Sequence, residues 1–303
     1  MKNNRSAESR RPIGVSSANP FPWIALLLGF ASAFYLYPAI QVIEFSLTNR
    51  SLLNDRFEYT LNTFANLVTS NAFHQSLRVT LLYVVISVVL QLVLGLVAAL
   101  ALHRGTRHQL LGTILVRSVV LTAWIMPGVV IGVVWRIILN EASYGMVNAM
   151  LTGLGLEPIA FLSDRQTSVW TLIIAGAWRG AAFTMILLYA GLQSIPVVLY
   201  EAAEVDGGSP FQIFRRVTLP QLRPIIAINL ILATIGAMNT FDMVLSLTAG
   251  GPGRSTEVLA LLTYNRLFTS FELAESSGLA LIMLTLSLVF TLLYMRLLQR
   301  DDE

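Results

Sequence analysis

The sequence predicts an all-α polytopic membrane protein with six transmembrane helices. Three observations predict it: an apolar composition, six hydrophobic stretches long enough to cross a bilayer, and an uneven share of arginines between alternate connections. Of 303 residues, 55% are hydrophobic and 12% charged, with a mean hydropathy of +0.68. An average soluble domain is about 25% charged. The chain is therefore too apolar for a soluble enzyme and too long for a single anchor. It has no cysteine, which excludes disulfides and thiolate sites. The net charge of +3 is small and the arginines are spread along the chain, so nothing points to nucleic acid as a partner.

Residues 1–22 carry Lys2, Arg5, Arg10 and Arg11 and lack an A-x-A-like cleavage site, so they read as a retained cytoplasmic tail. The membrane domain covers 23–298, with spans expected at 23–47, 79–102, 110–139, 168–198, 225–248 and 276–298. Each can cross roughly 30 Å of hydrocarbon. The connections at 48–78, 140–167 and 249–275 fall on one side, and 103–109 and 200–224 on the other. A short tail, 299–303, follows the last span. With the N-terminus inside, the cytoplasmic side receives eleven lysines and arginines against six outside, which places both termini in the cytoplasm. No internal repeat is visible, which argues against a secondary transporter built from inverted repeats.

The connection 200–224 has a local logic. Ala202 and Ala203, flanked by Glu201 and Glu204, favour a helix, and Gly207-Gly208 break it. Ser209 then stands at an N-cap position, Pro210 at the first helical position and Gln212 at the third. That is a capping box with proline where its missing N–H is harmless. The second helix is expected to stop ahead of Leu219-Pro220 and to lie parallel to the membrane, with Phe211, Ile213 and Phe214 as its apolar face. On residues alone, an ordinary interfacial connector is the commoner reading.

Written as a pattern, the stretch is Glu201-Ala202-Ala203, three residues, Gly207, nine residues, Val217-x-Leu219-Pro220. It resembles the EAA loop of the permease subunits of binding-protein-dependent ABC importers, where isoleucine is commoner at the place of Val217. The resemblance implies a type I ABC importer permease fold in a bacterial inner membrane. It also implies that this loop couples the permease to a separate ATPase. Glu201 and Gly207 would carry the coupling, with Ala202, Ala203 and Asp206 shaping the same surface. The implied partners are a paralogous second permease, a dimeric cytoplasmic ATPase that binds the ATP and Mg, and an extracytoplasmic solute-binding protein. No cofactor is implied for this chain itself.

Three further stretches are similar to carbohydrate-type permeases: Thr248 to Val258 with its Gly250-Gly251-Pro252-Gly253 run, Leu192 to Pro196, and Tyr144 to Asn148. Gly-Gly-Pro also reads simply as a turn. The chain supplies no P-loop, because its only lysine is Lys2. His74, His103 and His108 lack metal-ligand spacing, and no serine sits in a Gly-x-Ser-x-Gly elbow. No catalytic cluster is visible, so the chain reads as a transport subunit rather than an enzyme.

A solute path should show as polar or aromatic residues at membrane depth. Arg117 and Arg136 lie near span ends and can snorkel. Arg179, beside Trp178, is deeper. Asn239, Thr240, Phe241 and Asp242 form a polar-aromatic cluster suited to sugar hydroxyls and C–H faces, though such residues also join membrane helices to one another. Trp124 and Tyr83 are lesser candidates. Arg179 and Asp242 are expected to face the path and to interact directly or through water. A phosphate ester, polyamine or amino acid remains the alternative to a sugar. In an ion-coupled transporter Asp242 would be the ion site and the EAA loop would have no purpose.

Overall fold

The computed structural model describes residues 21–54, 56–107, 112–142 and 145–299. Most of the expected N-terminal tail, His108, Tyr144 and residues 300–303 lie outside them. The described chain is built from helices, with only isolated β-bridges between loops. In order they are α1 (Phe21–Ala31), α2 (Tyr37–Ser46), α3 (Asn62–Thr69), α4 (Asn71–Arg107), α5 (Thr113–Ile125), α6 (Gly128–Ile138) and α7 (Met146–Gly153). There follow α8 (Arg165–Ser194), α9 (Val197–Val205), α10 (Pro210–Ile213), α11 (Leu219–Met238), α12 (Asp242–Leu247), α13 (Leu259–Phe268) and α14 (Leu273–Gln299). Among the described residues five helices are long and apolar enough to cross a membrane, or six if the bent pair α5–α6 is one span.

A π-turn at Ser32–Leu36 joins α1 to α2, and α2 packs on α14 while α1 stays exposed. The centre of the molecule is the close packing of α4 on α8, with α11 against both. It is made possible by small residues: a Cβ on Gly95, Gly176 or Gly180 would collide with Thr184, Tyr83 or Gln91 respectively.

Two expected spans are corrected. The stretch 110–139 is not one helix, because α5 and α6 meet at 105°. Met126 is extended, with ψ of 133°, ahead of Pro127. Proline restricts the residue before it to extended backbone and offers no N–H to continue the ladder. The expected span 225–248 also ends early, at Met238, and α12 is a separate short helix. The two pieces after these breaks pack on each other, with Gly132 of α6 against Ser246 of α12.

The helix expected to stop before Leu219-Pro220 does not stop. Pro210 to Met238 is one continuous helix, relaxed by a π-turn at Phe214–Thr218. The Leu219 N–H bonds to the Phe214 carbonyl, five residues back. This wider turn absorbs the ring of Pro220, which would otherwise crowd the carbonyl four residues earlier. The segment after the Gly207 turn is thus continuous with a long apolar helix.

Two hydrophobic cores result. One gathers Leu172, Ile173, Val88, Met238 and Met243, and the other Ala99, Met185, Leu188, Leu192 and Leu222. The first lies toward the Gly-Gly-Pro loop and the second toward the Glu201 turn. Each of α4, α8 and α11 contributes to both.

Candidate functional site

The segment Val197 to Phe211 folds as the sequence reading expects, and its geometry explains the glycines. Gly207 has φ of +77°, a region open to glycine at little cost. The Gly208 N–H bonds to the Ala203 carbonyl at 2.9 Å, and the Gly207 N–H to Glu204 at 3.0 Å. This pair of bonds is a Schellman motif, which satisfies the last carbonyls of α9. The next helix starts at once with a complete capping box: the Gln212 N–H donates to the Ser209 hydroxyl, and the Ser209 N–H to Gln212 Oε1 at 2.8 Å.

Glu201, Ala202, Asp206 and Gly207 are exposed, and Ala203 is half-buried. Val205 is 89% exposed and Phe211 70%, one on each side of the turn. Phe211, Ile213 and Phe214 line a groove of about 940 Å³ with Arg104, Tyr200 and Glu204. The expected apolar face is therefore kept together, since Phe211 borders the same groove as Ile213 and Phe214 while remaining largely exposed. Val217, Leu219 and Pro220 are half-buried in the π-turn region and serve its shape. Sequence reading missed Val205, whose signal was an apolar residue between two acids.

A second feature lies between the two cores: a cavity of about 370 Å³. Tyr83, Ser87 and Gln91 of α4 face Gly176, Arg179, Gly180 and Phe183 of α8 across it. Thr240 and the Ala233–Ala237 face of α11 complete it, with Trp124 at the end of α5. The rings of Trp124 and Phe183 stack at 5.5 Å. Arg179 is near the midpoint of the 30-residue helix α8, roughly 21 Å from either end at 1.5 Å per residue.

The other expected path residues scatter. Trp178 packs edge-on against Trp135 at 6.0 Å. Asn239 and Phe241 line a separate cavity of about 640 Å³ bordered by α13 and α14, where Phe241 stacks on Tyr264 at 5.2 Å. The Asp242 carboxylate sits against Gly128 at the start of α6. Arg179 and Asp242 form no direct ion pair, although both lie close enough to Tyr83 to act on its hydroxyl electrostatically. Arg117 rests over the Tyr189 ring at 5.7 Å, a packing role.

The Gly250–Glu257 stretch is held on several sides. Glu257, buried, pairs with Arg254 at 2.7 Å and accepts from Asn265 at 3.2 Å. Gln75 of α4 donates to the carbonyls of Gly253 and Arg254, and Ser255 meets Ser168 of α8 at 3.1 Å. The loop ties α4, α8 and α13 together on the side opposite the Glu201 turn.

The family described as the binding-protein-dependent transport system inner membrane component matches residues 91–300, more than half of the chain, and the protein belongs to it. It is accordingly a multi-pass inner-membrane permease. The trehalose/maltose transport system permease MalF of Thermococcus litoralis is 35% identical over 236 residues, 78% of each chain. The multiple sugar-binding transport system permease MsmF of Streptococcus mutans is 30% identical, covering 89% of this chain and 91% of its own. A bacterial ABC transporter that imports the acidic polysaccharide alginate has the same fold, with a TM-score of 0.78 over 94% of this chain and 97% of that one, at 22% identity.

Proposed function

We propose that this permease forms half of the translocation path of an ATP-driven importer for a carbohydrate, and receives its motion from a separate ATPase at the Glu201–Phe211 turn. The observation that carries this reading is the turn itself. Val205 and Phe211 project from a doubly capped corner that is continuous, through the π-turn, with α11. A push on the corner therefore moves the helix that lines the cavity. Apolar groups this exposed on a rigid element suit docking into a partner's groove.

A dimeric cytoplasmic ATPase would supply ATP and Mg, and both termini of this chain would lie on its side. A paralogous second permease would complete the path, because one such subunit encloses only half of it. An extracytoplasmic binding protein would deliver solute near the Gly250–Glu257 side. The names of the two relatives support a sugar, as do the stacked rings of Trp124 and Phe183 beside Gln91, Ser87 and Thr240. Sugar C–H faces pack on aromatic rings, and sugar hydroxyls pair with amides and hydroxyls. An ion-coupled mechanism through Asp242 is disfavoured, since its carboxylate packs on α6 rather than lining the cavity.

Uptake into vesicles carrying the assembled importer tests the proposal. Sugar accumulation should require both ATP and the ATPase subunit, and an ion gradient alone should drive none. Accumulation driven by a gradient without the ATPase would refute it.

A further inference from the structure

We infer that the solute carries a negative charge, a carboxylate, sulfonate or phosphate on a sugar, and that Arg179 receives it. The inference rests on the carbohydrate reading above and narrows it.

Among the described residues, Arg179 is the only formally charged one lining the central cavity. No ion pair or hydrogen bond to it is found among the described residues. A cation at mid-membrane depth is normally paired. Asp242 acts on the same Tyr83 hydroxyl as Arg179 but forms no ion pair with it, and its carboxylate sits against Gly128. The second observation is Gln91. This residue is 6% exposed and lines the same cavity, yet its amide has no hydrogen-bond partner among the described residues. Unlike the sealed side chains of Thr184 and Asn229, this amide opens onto the cavity. A guanidinium and a free amide therefore border one space, next to stacked rings. That arrangement fits a sugar ring bearing an anionic group, with the guanidinium donating to its oxygens in a charge-assisted pair. A neutral sugar would leave the charge uncompensated. The rival is an acidic side chain of the second permease reaching Arg179.

The test uses the complete importer in lipid nanodiscs, without its binding protein. Dissociation constants are measured by titration calorimetry for a neutral hexose and for its uronate, 6-sulfonate and 6-phosphate. At least one anionic sugar should bind about tenfold tighter than the neutral one, the scale of a charge-assisted hydrogen bond. Which of the three it is identifies the anion. Arg179→Gln should bring that ratio close to one, and Arg179→Lys should keep most of it. A wild-type ratio near one for all three overturns the inference, as does a preference that survives Arg179→Gln. If Arg179→Gln fails to co-purify with its partners, the wild-type and Arg179→Lys ratios decide by the same criterion. Binding of the neutral hexose without any preference sinks this inference alone. Binding of no sugar at all sinks the carbohydrate reading, and the inference with it.

Discussion

The carboxylate of Asp242 lies against Gly128, so close that a Cβ on the glycine would collide with both carboxylate oxygens. Gly128 opens α6 and Asp242 opens α12. The contact thus joins the two helices created by the breaks at Pro127 and Asn239–Phe241. A carboxylate beside a helix N-terminus is also favoured by the helix dipole.

Gly128→Ala should therefore destabilise the protein by about 2 kcal/mol through overpacking. Asp242→Ala should relieve the collision, so that the double variant loses less than the sum of the two single losses. Thermal unfolding of the four proteins in one detergent measures the coupling. Simple additivity would show that the contact is not what holds the two helices together.

The Gly207 position separates two roles for one glycine. No atom lies within 4 Å of where its Cβ would be, so within this chain only its positive φ demands glycine. Asparagine tolerates that backbone and valine does not. Gly207→Val should abolish ATP-driven uptake at normal expression. If backbone conformation is the whole requirement, Gly207→Asn keeps most of the uptake. Failure of both variants would show that the ATPase approaches too closely for any side chain. Normal uptake by Gly207→Val would remove the turn from the coupling mechanism.

Glu257 anchors the Gly-Gly-Pro stretch from a buried position, whereas the side chain of its partner Arg254 is 47% exposed. Deleting the more exposed partner leaves the glutamate with Asn265 and, at 3.5 Å, Ser76. Deleting Glu257 removes the common partner of all three. Glu257→Ala should lower stability by about 3 kcal/mol, on the scale of a broken buried pair, and Arg254→Ala by clearly less. Equal losses from the two substitutions would contradict the asymmetry.

Asp164 caps α8, the helix that carries Arg179, by accepting from the Thr167 and Gln166 N–H groups at 3.0 Å. The bond from the Thr167 backbone, with its hydroxyl, holds this carboxyl below the ordinary carboxylate range. A depressed folded pKa gives stability that is full above the unfolded value and is lost as pH falls through the folded one. The stability advantage of the wild type over Asp164→Ala should thus be constant above about pH 5 and shrink below about pH 4. Urea unfolding at a series of pH values reads this, and an advantage that grows on acidification would refute it.

The turn at 207–210 is legible in the sequence because its signals are local: two glycines, a serine, a proline and a glutamine at fixed offsets. The break at Pro127 is equally local, yet hydropathy averaged over a whole span hides it. The same averaging hid the early end at Met238. Asn239 to Asp242 read as one polar cluster, but they span the break between α11 and α12, where the backbone leaves the helix and turns each side chain separately. They accordingly serve two cavities and a helix junction. The central cavity depends on which faces of α4 and α8 meet, a tertiary fact. Its trace in the sequence is Gly176 and Gly180 at helical spacing, with Gln91 as the one strongly polar side chain of its span.

The central claim, that the exposed turn docks a separate ATPase, has a direct test because the chain has no cysteine of its own. Val205→Cys, at the 89% exposed tip, is compared with Leu154→Cys, 77% exposed on the far side beyond α7. Each is treated, in membranes containing the whole importer, with a short cross-linker from cysteine to amine. Val205→Cys should cross-link to the ATPase subunit and Leu154→Cys should not. Absence of any ATPase adduct from Val205→Cys, or an equal yield from both positions, would contradict the account.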